Sequence, residues 1–196
     1  MSALKVSAIA IVMAIALMTE VSAINTVPSL NVTQYLGRWF QVYEDPFDAH
    51  TFQPKSNCAT ATYGLDTTRG AGYVSVRNWN RLDNTSGTPK EIFGYAWQPH
   101  PNSEPGQLRV VLHGGAPFPA PYWVVKLGPV VNDEYDYAVV TDDLKLTLFI
   151  LARDVTTFFA LYATEVVAWC KAQGFDSFID KPEVLPQAGC TYVWGN

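Results

Sequence analysis

The chain has 196 residues, 48% of them hydrophobic and 16% charged, and its 13 Lys and Arg against 18 Asp and Glu give a net charge of −5. That balance leaves no clustered basic footprint for nucleic acid and no polybasic segment for an anionic lipid surface. The length suits one domain around a single sizeable core.

Residues 1–23 read as a secretory signal peptide. Lys5 supplies a positive start, Val6 to Met18 is an almost unbroken apolar run, and Val21-Ser22-Ala23 offers small residues for cleavage. The run is short for a bilayer span and no stop-transfer pattern follows, which disfavours an amino-terminal anchor. The expected mature chain, residues 24–196, is then one secreted, extracellular domain with no transmembrane span.

The stretch NVTQYLGRWFQVYEDPF, residues 31–47, comes next. It holds the glycosylation sequon Asn31-Val32-Thr33 and a Gly37-Arg38-Trp39 triplet that leads from a short turn into a strand-like run. Glycine permits the tight turn, and the tryptophan puts a large ring on one face of the strand. From residue 38 onward, short runs rich in β-branched and aromatic residues alternate with Gly, Pro, Asn and Asp. They predict strands over 38–44, 58–66, 72–79, 90–97, 107–113, 121–127, 135–141 and 146–153. Eight strands with mostly short links predict an all-β, antiparallel up-and-down barrel, because a parallel sheet needs a long crossover after each strand. The longer link at 45–57 is expected at the open end, as a lid.

Between the strands, Gly70 and Gly72 mark a hairpin turn, and Asn84-Thr85-Ser86 is a second sequon in a predicted loop. Asp142-Asp143 suits a polar hairpin turn better than a cation site. Thr156 or Thr157 is expected to cap the one clear α-helix, which Gly174 ends. Phe158, Leu161, Tyr162 and Trp169 would share the helix face laid against the outside of the barrel. Residues 182–190, with Pro182 and Pro186, read as an extended strap.

No catalytic constellation emerges. His50, His100 and His113 lack metal-ligand spacing, although His113 ends a strand from which it could reach the barrel mouth. There is no nucleophile elbow and no phosphate loop. No catalytic residue, metal or required cofactor is assigned. The three cysteines, Cys58, Cys170 and Cys190, are an odd count for an oxidising compartment, and one thiol is free or intermolecular. Cys170, on the helix, is expected to be buried and inert.

Gly37-Arg38-Trp39, the later Tyr135-Asp136-Tyr137, and the run LTLFILARD ending in Arg153 follow one another in an order and spacing that resemble the lipocalins, and among them most closely the apolipoprotein D and bacterial-lipocalin branch. The resemblance covers nearly all of the chain after residue 30. It implies an eight-stranded calycin barrel with a carboxy-terminal helix outside. Trp39 would close the bottom of this barrel, with Gly37 at the entry turn and Arg153 stacked over the ring. It also implies that Cys58 and Cys190 tie the tail to the barrel, and that the cavity takes a small hydrophobic ligand such as a fatty acid, lysophospholipid, sterol, retinoid or bilin.

Strand alternation then assigns the inner rows. If Arg153 points inward, so do Leu151 and Phe149. Arg77 belongs in water, which turns Val74, Val76 and Asn78 inward. Arg109 does the same for Leu108, Val110 and Leu112. Tyr63 shares parity with Ala61, and the resembling branch places its tyrosine in the pocket. Tyr122 faces inward on resemblance alone. Phe93, Tyr95 and Trp97 form one row that either lines the pocket or faces solvent. Phe149, Tyr63, Asn78 and Leu112 are expected to converge near the open end, above Trp39 and Arg153.

The leading functional expectation is a secreted, non-enzymatic carrier with a bound lipid or bilin. One alternative is an enzyme on the same barrel, disfavoured because the spare thiol, Cys170, sits on the outer helix rather than on an inward strand row and near the helix's carboxy-terminal end, although Lys171 is adjacent. Another is an interaction protein that dimerises, or docks on a lipid surface, through the Phe93, Tyr95 and Trp97 row.

Overall fold

A computed structural model describes residues 24–193, so the expected signal peptide lies outside the described residues. The strands are β1 (Gly37–Glu44), β2 (Ser56–Leu65), β3 (Tyr73–Leu82), β4 (Pro89–Trp97), β5 (Gln107–Leu112), β6 (Ala120–Leu127), β7 (Val130–Val131), β8 (Glu134–Tyr135), β9 (Tyr137–Thr141), β10 (Leu148–Ala152) and β11 (Glu183–Val184). β1 through β6, β9 and β10 pair antiparallel in chain order, and β10 pairs back onto β1, which closes an eight-stranded barrel. β7 and β8 form a separate short ribbon in the β6–β9 connection. No helix among the described residues is long and apolar enough to cross a membrane.

Two short helices, α1 (Val32–Tyr35) and α2 (Pro46–Thr51), precede the carboxy-terminal helix. That helix runs in three pieces: an α turn (Val155–Thr157), a π turn (Phe158–Tyr162) and α3 (Ala163–Ala172). Its cap is Asp154, whose carboxylate accepts from the Thr157 N–H at 2.7 Å, and not Thr156 or Thr157. The buried face matches the expected one at Phe158, Tyr162 and Trp169, which pack on the outer core, and departs from it at Leu161. Phe158, Ala163, Val166 and Cys170 are buried, whereas Leu161 is 68% exposed. The wider π turn inserts an extra residue between Phe158 and Ala163 and rotates the later side chains, so Leu161 leaves the barrel.

Two apolar clusters result. The outer one packs Phe158, Val166, Cys170 and Phe175 against Val42, Val139, Leu148 and Ile150 on the barrel's exterior. The inner one fills the lower barrel around Trp39. The amino-terminal segment seals this end, with Leu30 and Tyr35 in the inner cluster and the Val27 N–H bonded to Val124 O at 2.9 Å.

The tail completes the wall. β1 and β2 pair only from Gly37↔Tyr63 to Phe40↔Thr60, and then a bulge parts them. The tail enters there. Leu185 N–H donates to Val42 O, Cys58 N–H donates to Pro186 O, and the Gln187 amide donates to both Gln41 O at 2.7 Å and Ala59 O at 3.0 Å. Cys58 and Cys190 are joined in a disulfide that spans 132 residues of sequence.

Candidate ligand site in the barrel

The floor is built on Gly37 and Trp39. Gly37 has φ +93°, and a Cβ there would lie 3.0 Å from Arg153 Nη1, so glycine both makes the turn and admits the guanidinium. Arg153 stands 3.8 Å from the centre of the fully buried Trp39 ring. Its N–H groups donate to Arg38 O at 2.7 Å, Leu36 O at 2.6 Å, Gln34 O at 3.1 Å and Tyr135 O at 3.3 Å. Burial pulls its pKa down, opposed by Glu134, Tyr35 and Tyr63. The Trp39 indole donates to Tyr35 O at 2.9 Å.

Above the tryptophan lies a group of three phenols. Tyr35 stacks on Tyr63 with ring centres 5.7 Å apart, and the Tyr122 hydroxyl lies 2.8 Å from that of Tyr35 and 3.0 Å from that of Tyr63. Burial raises all three, Tyr63 to about 12, so they stay protonated. Two bonds among three hydroxyls use two of the three protons, and one O–H remains for another acceptor. Tyr63 pairs with Gly37 and therefore sits at the floor, not near the open end as expected.

The walls bring most of the anticipated side chains together. Ala61, Val74, Val76, Leu108 and Leu151 are buried in the inner cluster, with Val110, Leu112, Tyr122 and Phe149 half-buried against it. Asn78 shares their face, opposite Ala61 across β2–β3. Inward side chains that keep some exposure mark the accessible part of the cup. Ala96 is buried inward, which turns its neighbours out: Phe93 is 49% exposed. Tyr95 and Trp97 stack with Tyr73 on the outer surface, and His113 lies against Tyr95 there, not in the mouth.

The mouth holds polar residues that sequence reasoning missed. Gln41 pairs with Leu151 and Glu44 with Phe149, and directly opposed residues share a face, so both point inward. Asp48, from α2 over this end, is fully buried and accepts from Gln53 Nε2 at 2.8 Å. Burial, with Asp48, Asp45 and Glu183 nearby, raises Glu44 to about 8; burial and Asp45 raise Asp48 to about 7.

The remaining positions lie elsewhere. Asn31 and Asn84 are exposed, and each side chain accepts from the N–H two residues on. Asp142 accepts from Leu144, Leu146 and Thr147 N–H groups within its turn. Cys170 is buried in the outer cluster, and burial pushes its thiol up to about 12.

A family model described as a lipocalin-like domain matches residues 30–180. Temperature-induced lipocalin-1 of Arabidopsis thaliana is 29% identical over 177 residues, covering 87% of each chain. Among solved structures, lobster apocrustacyanin A1 aligns with a TM-score of 0.54 at 17% identity, over 85% of this chain and 92% of its own. The tryptamine complex of the amine binding protein of Rhodnius prolixus aligns with a TM-score of 0.54 at 14% identity, over 87% and 89%.

Proposed function

The chain belongs to the lipocalin-like family, and from that premise we propose that it is a secreted carrier holding one small hydrophobic molecule in its barrel. The observation that carries the reading is the row of half-buried inward side chains, Val110, Leu112, Tyr122 and Phe149, above a sealed floor. An eight-stranded barrel is wide enough to hold one small ligand in this way. Apolar burial would supply most of the affinity, at about 25 cal/mol per Å². The spare phenol proton and Asn78 would set orientation. Ala61, Tyr63, Val74, Val76, Leu108 and Leu151 form the lower contact surface.

The bound molecule is a lipid or bilin, and the protein needs no cofactor and no metal. The tie between Cys58 and Cys190 supports placement near the apolipoprotein D and bacterial branch. An enzymatic role through Cys170 has little support, since that thiol is buried outside the cup and held protonated. Exposed Asn31 and Asn84 fit glycosylation of a secreted chain.

Titration of the delipidated protein with fatty-acid, retinoid and bilin probes, followed by tryptophan fluorescence, tests the carrier reading. Saturable binding weakened by Phe149→Ala is the expected result. No response to any probe would sink it. The outward Tyr73, Phe93, Tyr95 and Trp97 row favours a second, compatible role in self-association or lipid-surface contact. Sedimentation at micromolar concentration tests that role.

A further inference from the structure

Around the mouth, acidic side chains are buried against one another; among the described residues no salt bridge reaches Glu44, Asp45 or Asp48, while the neighbouring Glu183 pairs with Lys181 at 2.9 Å. Glu44 is 8% exposed, and Asp45 and Asp48 are fully buried. The charged groups that act on Glu44 are Asp48, Asp45 and Glu183; the one that acts on Asp48 is Asp45. Asp45 is already engaged, because its oxygens accept from the N–H groups of Asp48 and Leu148 and so tie α2 to β10. Glu44 Oε2 and Asp48 Oδ1, by contrast, have no hydrogen-bond partner among the described residues.

A neutral group points the same way. Gln41, 7% exposed, accepts through Oε1 from Gln53 Nε2 at 3.3 Å, and that same nitrogen donates to Asp48 Oδ2 at 2.8 Å. The shared donor fixes which way round the Gln41 amide sits. Its Nε2 is left on the inner face with no partner among the described residues. Buried polar atoms in native folds are nearly always satisfied, so three orphans at one end of a cup call for an explanation.

We propose that this mouth recognises the positively charged head of an amphiphilic ligand, a primary or secondary ammonium, with Glu44 and Asp48 accepting its N–H donors. The proposal rests on the carrier reading and narrows it. The apolar body would lie along Phe149, Leu112, Val110 and Tyr122, below the head. An ammonium brings what these groups lack: two or three donors and one positive charge against two acids. Gln41 Nε2 can then serve a hydroxyl or carbonyl beside the head. A metal ion fits less well, because no group of three His, Cys, Asp or Glu among the described residues is arranged to hold one. An ionised fatty acid would add a further negative charge to a site that already repels one.

The carboxyls also give the site a pH signature. Glu44, raised to about 8, and Asp48, raised to about 7, ionise across the neutral range, and the ionised forms bind the cation. A primary ammonium, with a pKa near that of lysine at about 10.4, stays charged throughout. Affinity for it therefore rises with pH, whereas affinity for a carboxylate falls.

Calorimetric titration of the delipidated full chain with dodecylamine, dodecanol and laurate at pH 6 and 8.5 tests this. At pH 8.5 dodecylamine is expected to bind at least tenfold more tightly than dodecanol, with laurate weakest, and the advantage should shrink at pH 6. Glu44→Gln and Asp48→Asn, singly and together, should remove the advantage, so that dodecylamine and dodecanol bind each variant alike at pH 8.5. Equal affinity for amine and alcohol, or tightest binding of laurate, overturns the ammonium site and leaves the carrier standing. Failure of all three probes overturns the ammonium site, and the carrier reading then stands or falls on the retinoid and bilin titrations. Should a variant fail to fold, the ranking and its pH dependence in the native chain decide.

Discussion

The Arg153 guanidinium covers the Trp39 ring while its N–H groups reach four backbone carbonyls from α1, β1 and the β8–β9 corner. Lysine has three donors on a point charge and no planar face, so it cannot reproduce that fork. Arg153→Lys is expected to destabilise the protein by about 2–3 kcal/mol, with carbonyls left unpaired. Trp39→Ala, at a fully buried site, should cost about 3–5 kcal/mol. Chemical denaturation measures both. Phe149→Ala, at a half-buried site, should cost less and act mainly on ligand affinity. Glu44 has a pH-linked effect of its own. Its pKa is raised from 4.5 to about 8, so the unfolded chain releases the proton first and this group makes stability fall between those values. Glu44→Gln should therefore match the native protein near pH 4.5 and melt at a higher temperature near pH 8. Parallel melting curves for the two at every pH would refute the assignment.

Most of the barrel was legible in the sequence, because β3, β5 and β10 alternate strictly and each carries a charge or aromatic that fixes its facing. Where the backbone departs from regular geometry, the reading failed. Simple alternation from Trp39 would turn Tyr43 inward and Glu44 outward; the bulge at Val42 reverses both, and it hid the acidic mouth. The π turn likewise displaced Leu161 from the predicted helix face. The disagreement over the cap arose because aspartate and threonine compete for the same position in Arg153-Asp154-Val155-Thr156-Thr157. Asp154→Ala should cost about 1 kcal/mol, and a Thr156→Ala change much less. A reversal of that order in thermal melts would return the cap to the threonine. Tyr35 escaped notice because α1 is a single turn with no periodicity to read, although its ring belongs to the floor.

In the whole molecule, the barrel and its outer helix form two cores sharing β1, β9 and β10 as a common partition. The Cys58–Cys190 bond crosses 132 residues of sequence. In the chain-entropy model it stabilises the fold by about 4–5 kcal/mol. Replacing both cysteines with serine should lower the melting temperature by roughly 8–20 degrees, measurable by calorimetry; a shift of a degree or two would place the stability elsewhere. The tail does more than anchor. Leu185, Pro186 and Gln187 occupy the gap where β1 and β2 separate. During synthesis, then, the first two strands emerge long before the segment that seals the space between them. The nascent barrel keeps an open seam, with the Cys58 thiol beside it, until residues 185–190 have emerged. For that interval Gln41 O, Val42 O and Ala59 O lack the partners that residues 185–187 bring, and closure of this wall is governed by the arrival of that strap.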